Sequence, residues 1–279
     1  MKITIAKNAG FCFGVKRAYD LACVNSKDCD SIFILGKLVH NDDVCGDLKK
    51  RGVKEIKKLN EVRNGTVIFT AHGIGPKMYA NAQKRGLKVI DTTCPKVMKA
   101  QRLAENYAGK NFEVIIFGDK NHKEVRSILE WSKNKAKIIE NSKEAKKLKL
   151  DKKKKYCLVS QTTQNAEEFK KISRYLGSRA SQFMVFNTIC QSTDDRQNEI
   201  RKMAKCNDVM IVIGGRDSAN SRMLYEISRE INPKSYFVEN EKKLQKRWFQ
   251  GKTKIAIGAG ASTPERVIKK IVDKIRNFS

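Results

Sequence analysis

Short apolar runs alternate with segments of helical periodicity along nearly the whole chain. Eleven runs of two to five residues occur at 3–6, 32–35, 67–69, 89–90, 114–117, 138–139, 157–159, 183–186, 209–213, 236–238 and 255–257. Continuous apolar runs between helices are typical of parallel strands that helices cover on both faces. The pattern therefore predicts an α/β fold built from small, mainly parallel sheets.

One unit of this pattern occurs three times. In each copy an apolar run leads to a cysteine that opens a helical segment, and a polar residue follows 28 positions later at the end of the next strand. The pairs are Cys12 with His40, Cys94 with His122, and Cys190 with Ser218. The repeat predicts three α/β domains of ordinary size, at 1–93, 94–189 and 190–279. We expect the N-terminal strand, within 1–11, to pack with the third domain.

Polar residues collect after the predicted strands. In parallel sheets ligands bind beyond the carboxyl ends of strands, where the following helices present their N-termini. All three histidines of the chain, His40, His72 and His122, lie at such positions. The remaining polar residues that precede helical segments are Ser218, Asn220 and Ser262. Both serines also fit as ordinary N-caps, but the whole set, with cationic histidines, is typical of a phosphate or diphosphate site.

A carboxylic acid lies beside this set. Glu124 follows His122 by two positions at the start of a helical segment, where it can relay protons. Thr162 and Thr163 follow another predicted strand and can hold either that carboxyl or a substrate hydroxyl by hydrogen bonds. These residues add a possible acid to the anion site.

The cysteines at the repeated position form a candidate metal site. Cys12, Cys94 and Cys190 would supply three thiolates and leave one coordination position open. Zinc and an iron–sulfur cluster both fit three thiolates at this point, and the wide spacing favours the cluster. The five other cysteines are interpreted as buried or bystander thiols: Cys23, Cys29, Cys45, Cys157 and Cys206.

Charge is the extreme feature of the composition. The net charge of +28 invites a nucleic-acid interpretation. The lysine-rich segment 146–155, however, has no interleaved aromatic residues and the chain has no recognisable nucleic-acid module, so we expect a solvated surface or a docking surface for an acidic protein. No apolar run approaches the roughly 20 residues of a membrane helix. We therefore expect a cytoplasmic protein without a membrane or nucleic-acid partner.

Nine motifs between Gly10 and Pro264 resemble the 4-hydroxy-3-methylbut-2-enyl diphosphate reductase family, LytB or IspH, in order and spacing. They are Gly10-Phe11-Cys12, Val39-His40-Asn41, Ala71-His72-Gly73, Asp91-x-Thr93-Cys94-Pro95, His122-x-Glu124, Gln161-Thr162-Thr163, Thr188-Ile189-Cys190, Ser218-x-Asn220-Ser221 and Gly260-Ala261-Ser262-x-Pro264.

The resemblance implies three α/β domains in pseudo-threefold arrangement around a 4Fe-4S cluster. Its ligands would be Cys12, Cys94 and Cys190, and its fourth iron would be open to the substrate's hydroxyl. The matching diphosphate-binding residues are His40, His72, His122, Ser218, Asn220 and Ser262, with Glu124 as proton donor and Thr162 and Thr163 near the hydroxyl. The implied reaction is the last step of the non-mevalonate isoprenoid pathway, a two-electron dehydroxylation that gives isopentenyl and dimethylallyl diphosphates.

The sequence departs from the family's usual pattern in three places. Ala219 follows Ser218 where a second serine is common, so we expect substrate binding to weaken by about 1 kcal/mol. Lys123 replaces a proline, and residues 214–217 replace a Gly-Ser-Lys-Asn type of turn. Neither of these changes removes a chemical group that the implied reaction needs.

The implied partner is a ferredoxin or flavodoxin that donates electrons, and we expect the chain to act as a monomer. A lysine-rich surface would steer such an acidic protein electrostatically. Two other classes remain as alternatives: a basic nucleic-acid-binding protein with a metal site, and a zinc-dependent hydrolase of a phosphorylated substrate. Neither alternative explains the ordered motifs.

Overall fold

The structure is a computed structural model that describes residues 1–28 and 31–278. Within them the strands are β1 (Lys2–Ile5), β2 (Ile32–Leu35), β3 (Lys54–Ile56), β4 (Thr66–Phe69), β5 (Lys88–Asp91), β6 (Phe112–Phe117), β7 (Lys137–Ile139), β8 (Lys155–Ser160), β9 (Gln182–Val185), β10 (Val209–Ile213), β11 (Ser235–Val238) and β12 (Lys254–Ala259). The α-helices are α1 (Phe13–Asp28), α2 (Asp42–Lys50), α3 (Pro76–Lys84), α4 (Pro95–Gly109), α5 (Lys123–Trp131), α6 (Ser142–Lys147), α7 (Ala166–Gly177), α8 (Gln191–Cys206), α9 (Ala219–Ile231) and α10 (Glu265–Arg276).

The strands form three four-stranded sheets in which every pairing is parallel. Sheet I has the order β5-β4-β2-β3, sheet II β9-β8-β6-β7, and sheet III β1-β12-β10-β11. In each sheet, one edge strand comes shortly before a repeated cysteine. These strands are β5 before Cys94, β9 before Cys190 and β1 before Cys12. In sheet III this edge strand is β1, which pairs with β12 from Lys2 opposite Lys254 to Ile5 opposite Ile257. The predicted α/β class with small parallel sheets is confirmed.

All eleven apolar runs form strands, and β3 is the strand that the pattern missed among the described residues. Its sequence has one apolar residue because β3 is an edge strand whose Lys54 and Glu55 are exposed. Charged residues on an edge discourage pairing with other chains. A central strand such as β10 is buried on both faces, as the pattern predicts. The edge strands β1 and β9, in contrast, have exposed residues.

The described residues form two compact units. The first unit is Met1–Tyr19, Val39–Lys50 and Gln191–Ser279 and contains sheet III. The second unit is Asp20–Leu38 and Arg51–Cys190 and contains sheets I and II. The predicted boundaries after residues 93 and 189 follow β5 and β9 along the chain. Because the compact units do not separate sheets I and II, the division into three domains remains a prediction.

Helices pack on both faces of sheet III. Alternate residues of a strand point to opposite faces, so Ile211 packs on one face with Ile271 of α10, while Val212 packs on the other with Ile200 of α8 and Leu224 of α9. The buried residues of α10 recur at helical spacing, at Val267, Ile268, Ile271, Val272 and Ile275. These cores fix the strand ends from which the site residues extend.

The cysteines outside the repeated position differ in their surroundings. Cys157 is buried in β8, and burial raises the pKa of its thiol to about 12, which makes it unreactive. Cys206 is exposed at the end of α8, and Cys23 and Cys45 are partly exposed. Cys29 lies outside the described residues. In residues 1–28 and 31–278, no helix has the length and hydropathy that crossing a lipid bilayer requires.

Helix α9 approaches sheet III closely because two glycines end the central strands. Ser221 of α9 is fully buried between Gly214, after β10, and Gly260, after β12. A Cβ on Gly214 would overlap Ser221 Oγ and lie 2.5 Å from Ser221 Cβ. Any side chain at Gly214 would therefore push back the start of α9.

We expect Gly214→Ala to lower the free energy of unfolding by about 1–3 kcal/mol. The added methyl group would clash with Ser221, and only a movement of α9 can relieve that clash. Urea unfolding measures this change. The matched control in the same unit is Gly46→Ala: Gly46 lies in α2 with nothing within 4 Å of its added Cβ. This control should gain about 0.5–1 kcal/mol from helix propensity. A Gly214→Ala protein as stable as the parent would contradict the packing argument.

Candidate functional site

Two histidines lie together in the second unit. His72 follows β4, and His122 follows β6 as the N-cap of α5. Their ring centroids are 5.4 Å apart and the rings are nearly perpendicular, at 89°. The Nδ1 atom of His122 accepts a hydrogen bond from the backbone N–H of Glu124 at 3.2 Å. An accepting Nδ1 has no proton, so His122 is a neutral ring whose Nε2–H donates, rather than the cation that the sequence allowed.

The turn that carries His72 is fixed by close packing against α4 and α5. Gly73 has a φ of +82°, and a Cβ there would lie 3.1 Å from Val97 Cγ1 of α4. The indole Nε1–H of Trp131 donates to the carbonyl of Ile74 at 2.9 Å. Only glycine satisfies both the positive φ and the close approach at this turn.

Glu124 and Thr162 form the central polar pair of the second unit. Glu124 is 2% exposed, and its carboxylate accepts hydrogen bonds from the backbone N–H of Thr162 at 2.6 Å and from its hydroxyl at 2.9 Å. Burial raises the pKa of Glu124 to about 7, although both hydrogen bonds from Thr162 lower it. A carboxyl with this pKa exchanges its proton near neutral pH, which suits a general acid.

The neighbouring polar residues separate into two hydrogen-bond systems. Thr163 Oγ1 accepts from the amide of Gln161 at 3.0 Å, and Gln161 Oε1 accepts from the backbone N–H of Asp119 at 3.0 Å. Thr163 is therefore held by Gln161 rather than by Glu124. Gln161 is fully buried and braces the turns that follow β6 and β8. Its position in the Gln161-Thr162-Thr163 motif was the only sequence signal for this role.

A second buried pair supports the backbone of Glu124. Gln101 of α4 donates to Ser127 Oγ at 3.0 Å, and that hydroxyl donates to the carbonyl of Glu124 at 2.7 Å. Both side chains are buried, at 4% and 2% exposure. The sequence pattern did not predict this pair. The available signal was a polar residue on the apolar face of α4, where Gln101 lies between Ala100 and Ala104.

The three repeated cysteines are presented by the same backbone bond. Each lies directly before a helix, is partly exposed and forms no disulfide. Each cysteine N–H donates to a carbonyl two residues beyond the neighbouring strand: Cys12 to Ala261 at 3.1 Å, Cys94 to Ala71 at 3.1 Å, and Cys190 to Thr162 at 2.9 Å. The Cys12 sulfur also accepts from the backbone N–H of Val15 at 3.5 Å. A thiol held in this way is available as a metal ligand.

Asn220 and Ser262 are buried polar residues in the first unit. They are 5% and 6% exposed, and neither the Asn220 amide nor the Ser262 hydroxyl has a hydrogen-bond partner within the described part of the chain. Leaving such groups unpaired costs about 1–3 kcal/mol each. Buried unpaired donors in a folded protein call for an explanation, and a ligand that they bind supplies one.

Ser218 and Ser262 differ in the capping role that both were expected to fill. Ser218 is the N-cap of α9, and its Oγ accepts from the backbone N–H and the hydroxyl of Ser221, at 3.3 and 3.0 Å. Ser262 caps no helix, because α10 begins at Glu265 with Pro264 at its N-cap. The hydroxyl of Ser262 thus lacks an N-cap role.

Glycines explain two of the departures from the family pattern. Gly215 lies against the backbone of His40, so that a Cβ there would overlap the His40 carbonyl. The Gly-Gly sequence at 214–215 therefore lets the segment after His40 approach the start of α9. Lys123 lies over Gly36, where a Cβ would be 2.7 Å from the Lys123 ammonium nitrogen. The lysine is accommodated because Gly36 has no side chain.

Comparison with known proteins extends these observations. The family model described as LytB protein matches residues 3–276. The 4-hydroxy-3-methylbut-2-enyl diphosphate reductase of Campylobacter fetus subsp. fetus is 41% identical over 281 residues, with 100% of this chain and 99% of that one covered. The corresponding reductase of Geobacter metallireducens is 37% identical, with 100% and 98% covered.

Two solved structures are similar to this chain. The E-1-hydroxy-2-methyl-but-2-enyl-4-diphosphate reductase from Plasmodium falciparum has a TM-score of 0.92 at 32% identity, with 97% of this chain and 86% of that chain covered. A structure of (E)-4-hydroxy-3-methyl-but-2-enyl diphosphate reductase, described as the terminal enzyme of the non-mevalonate pathway, has a TM-score of 0.73 at 37% identity, with 99% and 100% covered. The family predicted from the nine motifs is confirmed, and the chain belongs to the LytB protein family.

Proposed function

We propose that this chain reduces 4-hydroxy-3-methylbut-2-enyl diphosphate in the terminal reaction of the non-mevalonate pathway. One C–O bond breaks and one C–H bond forms, two electrons and two protons are consumed, and the hydroxyl leaves as water. The products are isopentenyl and dimethylallyl diphosphates. The observation that carries the proposal is the buried Glu124–Thr162 pair, which offers an acid of suitable pKa and bonds directly to the backbone of Cys190.

The cysteine set fits a 4Fe-4S cluster. Three free thiols with the same backbone anchor supply three thiolate ligands, Cys12, Cys94 and Cys190. When bound, such a cluster supplies electrons and an open iron that acts as a Lewis acid toward the departing hydroxyl. Zinc also binds thiolates, but it has no redox chemistry, so the proposed reduction favours the cluster.

Residues of each unit provide donors for the diphosphate. In the first unit, the unpaired Asn220 amide and Ser262 hydroxyl gain partners when an anion binds, and Ser218 and His40 add further donors. In the second unit, His72 and the neutral His122 donate from their imidazole rings, and Thr163 adds a hydroxyl. Neutral donors bind a diphosphate without adding charge to the site.

Glu124 supplies a proton to the leaving hydroxyl or to the carbon that gains hydrogen. Its pKa of about 7 keeps a large fraction protonated at neutral pH. After the proton leaves, the carboxylate keeps both hydrogen bonds from Thr162, which stabilise its negative charge. We also propose that the chain acts as a monomer and receives electrons from a ferredoxin or flavodoxin.

The direct test is anaerobic turnover driven by reduced viologen, with product analysis by mass spectrometry. We expect substrate-dependent dye oxidation by the iron-loaded protein and loss of iron, colour and turnover in Cys94→Ser. Cys206→Ser is the matched control and should retain all three, because Cys206 is exposed and lies outside the repeated position. A colourless, oxygen-stable, zinc-containing protein that hydrolyses phosphorylated substrates would refute the proposal.

The pH dependence of kcat tests the role of Glu124. We expect kcat to fall as pH rises through about 7, because only the protonated acid donates. Thr162→Val removes one hydrogen bond that lowers the pKa, so the decline should move upward by roughly one pH unit, while Thr162→Ser keeps the parent profile. Glu124→Gln should lower kcat at least roughly 100-fold.

Unfolding measurements provide the control for Glu124→Gln. The pKa of Glu124 in the folded protein is raised above its usual value of 4.5. The protonated carboxyl therefore contributes fully to stability below pH 4.5, and this contribution is lost as pH rises through about 7. The neutral variant avoids this loss and should gain stability relative to the parent between pH 5 and pH 8. An unchanged pH profile of kcat in Thr162→Val, with Glu124→Gln fully active, would exclude Glu124 as the acid.

A separate prediction concerns the unpaired hydroxyl of Ser262. Ser262→Ala should raise the substrate KM about tenfold through loss of a charge-assisted hydrogen bond, while the free energy of unfolding stays equal or rises. Ser228→Ala is the control in the same unit, because its buried hydroxyl bonds to Ser235 at 2.7 Å. This control should lose about 1–3 kcal/mol of stability and keep the parent KM. An unchanged KM in Ser262→Ala, together with a raised KM in Ser228→Ala, would place the ligand elsewhere.

A further inference from the structure

The helices that follow the three repeated cysteines differ in charge although they occupy equivalent positions. Helix α8 has Asp194 in its first turn, whereas neither α1 nor α4 has an acidic residue there. Instead α4 has Lys96, Lys99 and Arg102, which recur every three positions and therefore lie on one side of the helix. All three are exposed, and none forms an ion pair within the described residues.

These cations do not stabilise the helix that carries them. The N-terminus of a helix has a partial positive charge, so a lysine in the first turn is unfavourable there. Lys96 is the second residue of α4 and lies in this turn. Because a lysine at this position does not favour the helix, its charge is better explained by binding than by folding.

A shallow groove lies among the basic residues. Its volume is about 370 Å³, and it is lined by Pro95, Lys99, Arg102, Leu103 and Asn106. We define these five residues with Lys96 as the α4 face. Cations surrounding small apolar contacts are suited to a transient acidic partner, because charge steers the encounter while a small contact area allows rapid release.

The position of the α4 face indicates what the partner delivers. Cys94 is the N-cap of α4, so the face begins at the residue next to a proposed cluster ligand. The dehydroxylation consumes two electrons, which a protein donor must bring from outside. We propose that the α4 face is the docking surface for a small acidic electron-transfer protein, oxidised by one electron at each of two encounters per turnover. This inference rests on the proposed function.

The lysine-rich segment 146–155 is a less suitable docking surface. It ends at Lys155, the first residue of β8, whereas Thr162 follows the other end of that strand and accepts the hydrogen bond from Cys190. A six-residue strand spans roughly 20 Å, so the two ends of β8 are well separated. This segment therefore offers a control surface that is also basic but has no position beside a proposed ligand.

The test compares two double variants of the iron-loaded protein with equal changes in net charge. Lys96→Glu with Lys99→Glu alters the α4 face, and Lys152→Glu with Lys153→Glu alters the control segment. Acidic residues near a helix N-terminus are favourable, so the first variant should fold at least as well as the parent. Reduced viologen, a small dye that needs no docking surface, should drive equal turnover in both.

We expect the α4 variant to weaken the binding of oxidised plant-type ferredoxin or of flavodoxin at least tenfold, as measured by surface plasmon resonance. Its ferredoxin-driven turnover should fall by a similar factor, and added salt should weaken parent binding. The control variant should keep binding within about threefold of the parent, since exposed charges beyond the Debye length of about 10 Å are largely screened.

Several outcomes would overturn the inference. These are equal losses in both variants, full ferredoxin binding by the α4 variant, no binding of either acidic protein by the parent, or loss of binding to a short RNA but not to ferredoxin. Failure of the proposed function has a different signature. It would abolish viologen-driven turnover in the parent, while the binding measurement would still report whether the α4 face receives an acidic protein.

Discussion

One backbone hydrogen bond, made three times, determines how the site residues are presented. The N–H group of each repeated cysteine donates to a carbonyl two residues beyond a neighbouring strand, so Cys12, Cys94 and Cys190 are held by the segments that follow β12, β4 and β8. For Cys190 the acceptor is Thr162, whose own N–H and hydroxyl hold Glu124. A single turn after β8 therefore controls the position of a candidate ligand and the protonation of a candidate acid.

The same arrangement leaves the protein with groups that folding alone disfavours. Burial raises the pKa of Glu124, and the polar side chains of Asn220 and Ser262 have no partners among the described residues. Apolar residues of similar size would remove these costs. Their retention beside well-packed cores is the pattern expected when stability is exchanged for binding and catalysis.

The sequence predicted the elements well because the features that define them are local. Apolar runs revealed eleven strands, and the 28-residue interval revealed the repeat, since both depend on spacing along the chain. The strand β3 was missed because an exposed edge strand needs no apolar run. The pair of Gln101 and Ser127 was missed for a different reason: these residues are 26 positions apart, and only the packing of α4 on α5 brings their side chains together. The neutral form of His122 likewise depends on a hydrogen bond that no spacing encodes.

The repeat also explains how one scaffold obtains different chemistry from equivalent positions. The backbone hydrogen bond made by each cysteine is the same, so the three thiols are held in equivalent positions of their repeats. The residues around them differ: the position 28 residues after a cysteine is histidine twice and serine once, and the carboxyl two residues further on is exposed in the first repeat, at Asp42, but buried in the second, at Glu124. Because the shared framework fixes the ligands, substitutions on the helices that follow them can change charge and hydrogen bonding without moving a thiol. The acidic start of α8 and the basic start of α4 show that this freedom has been used.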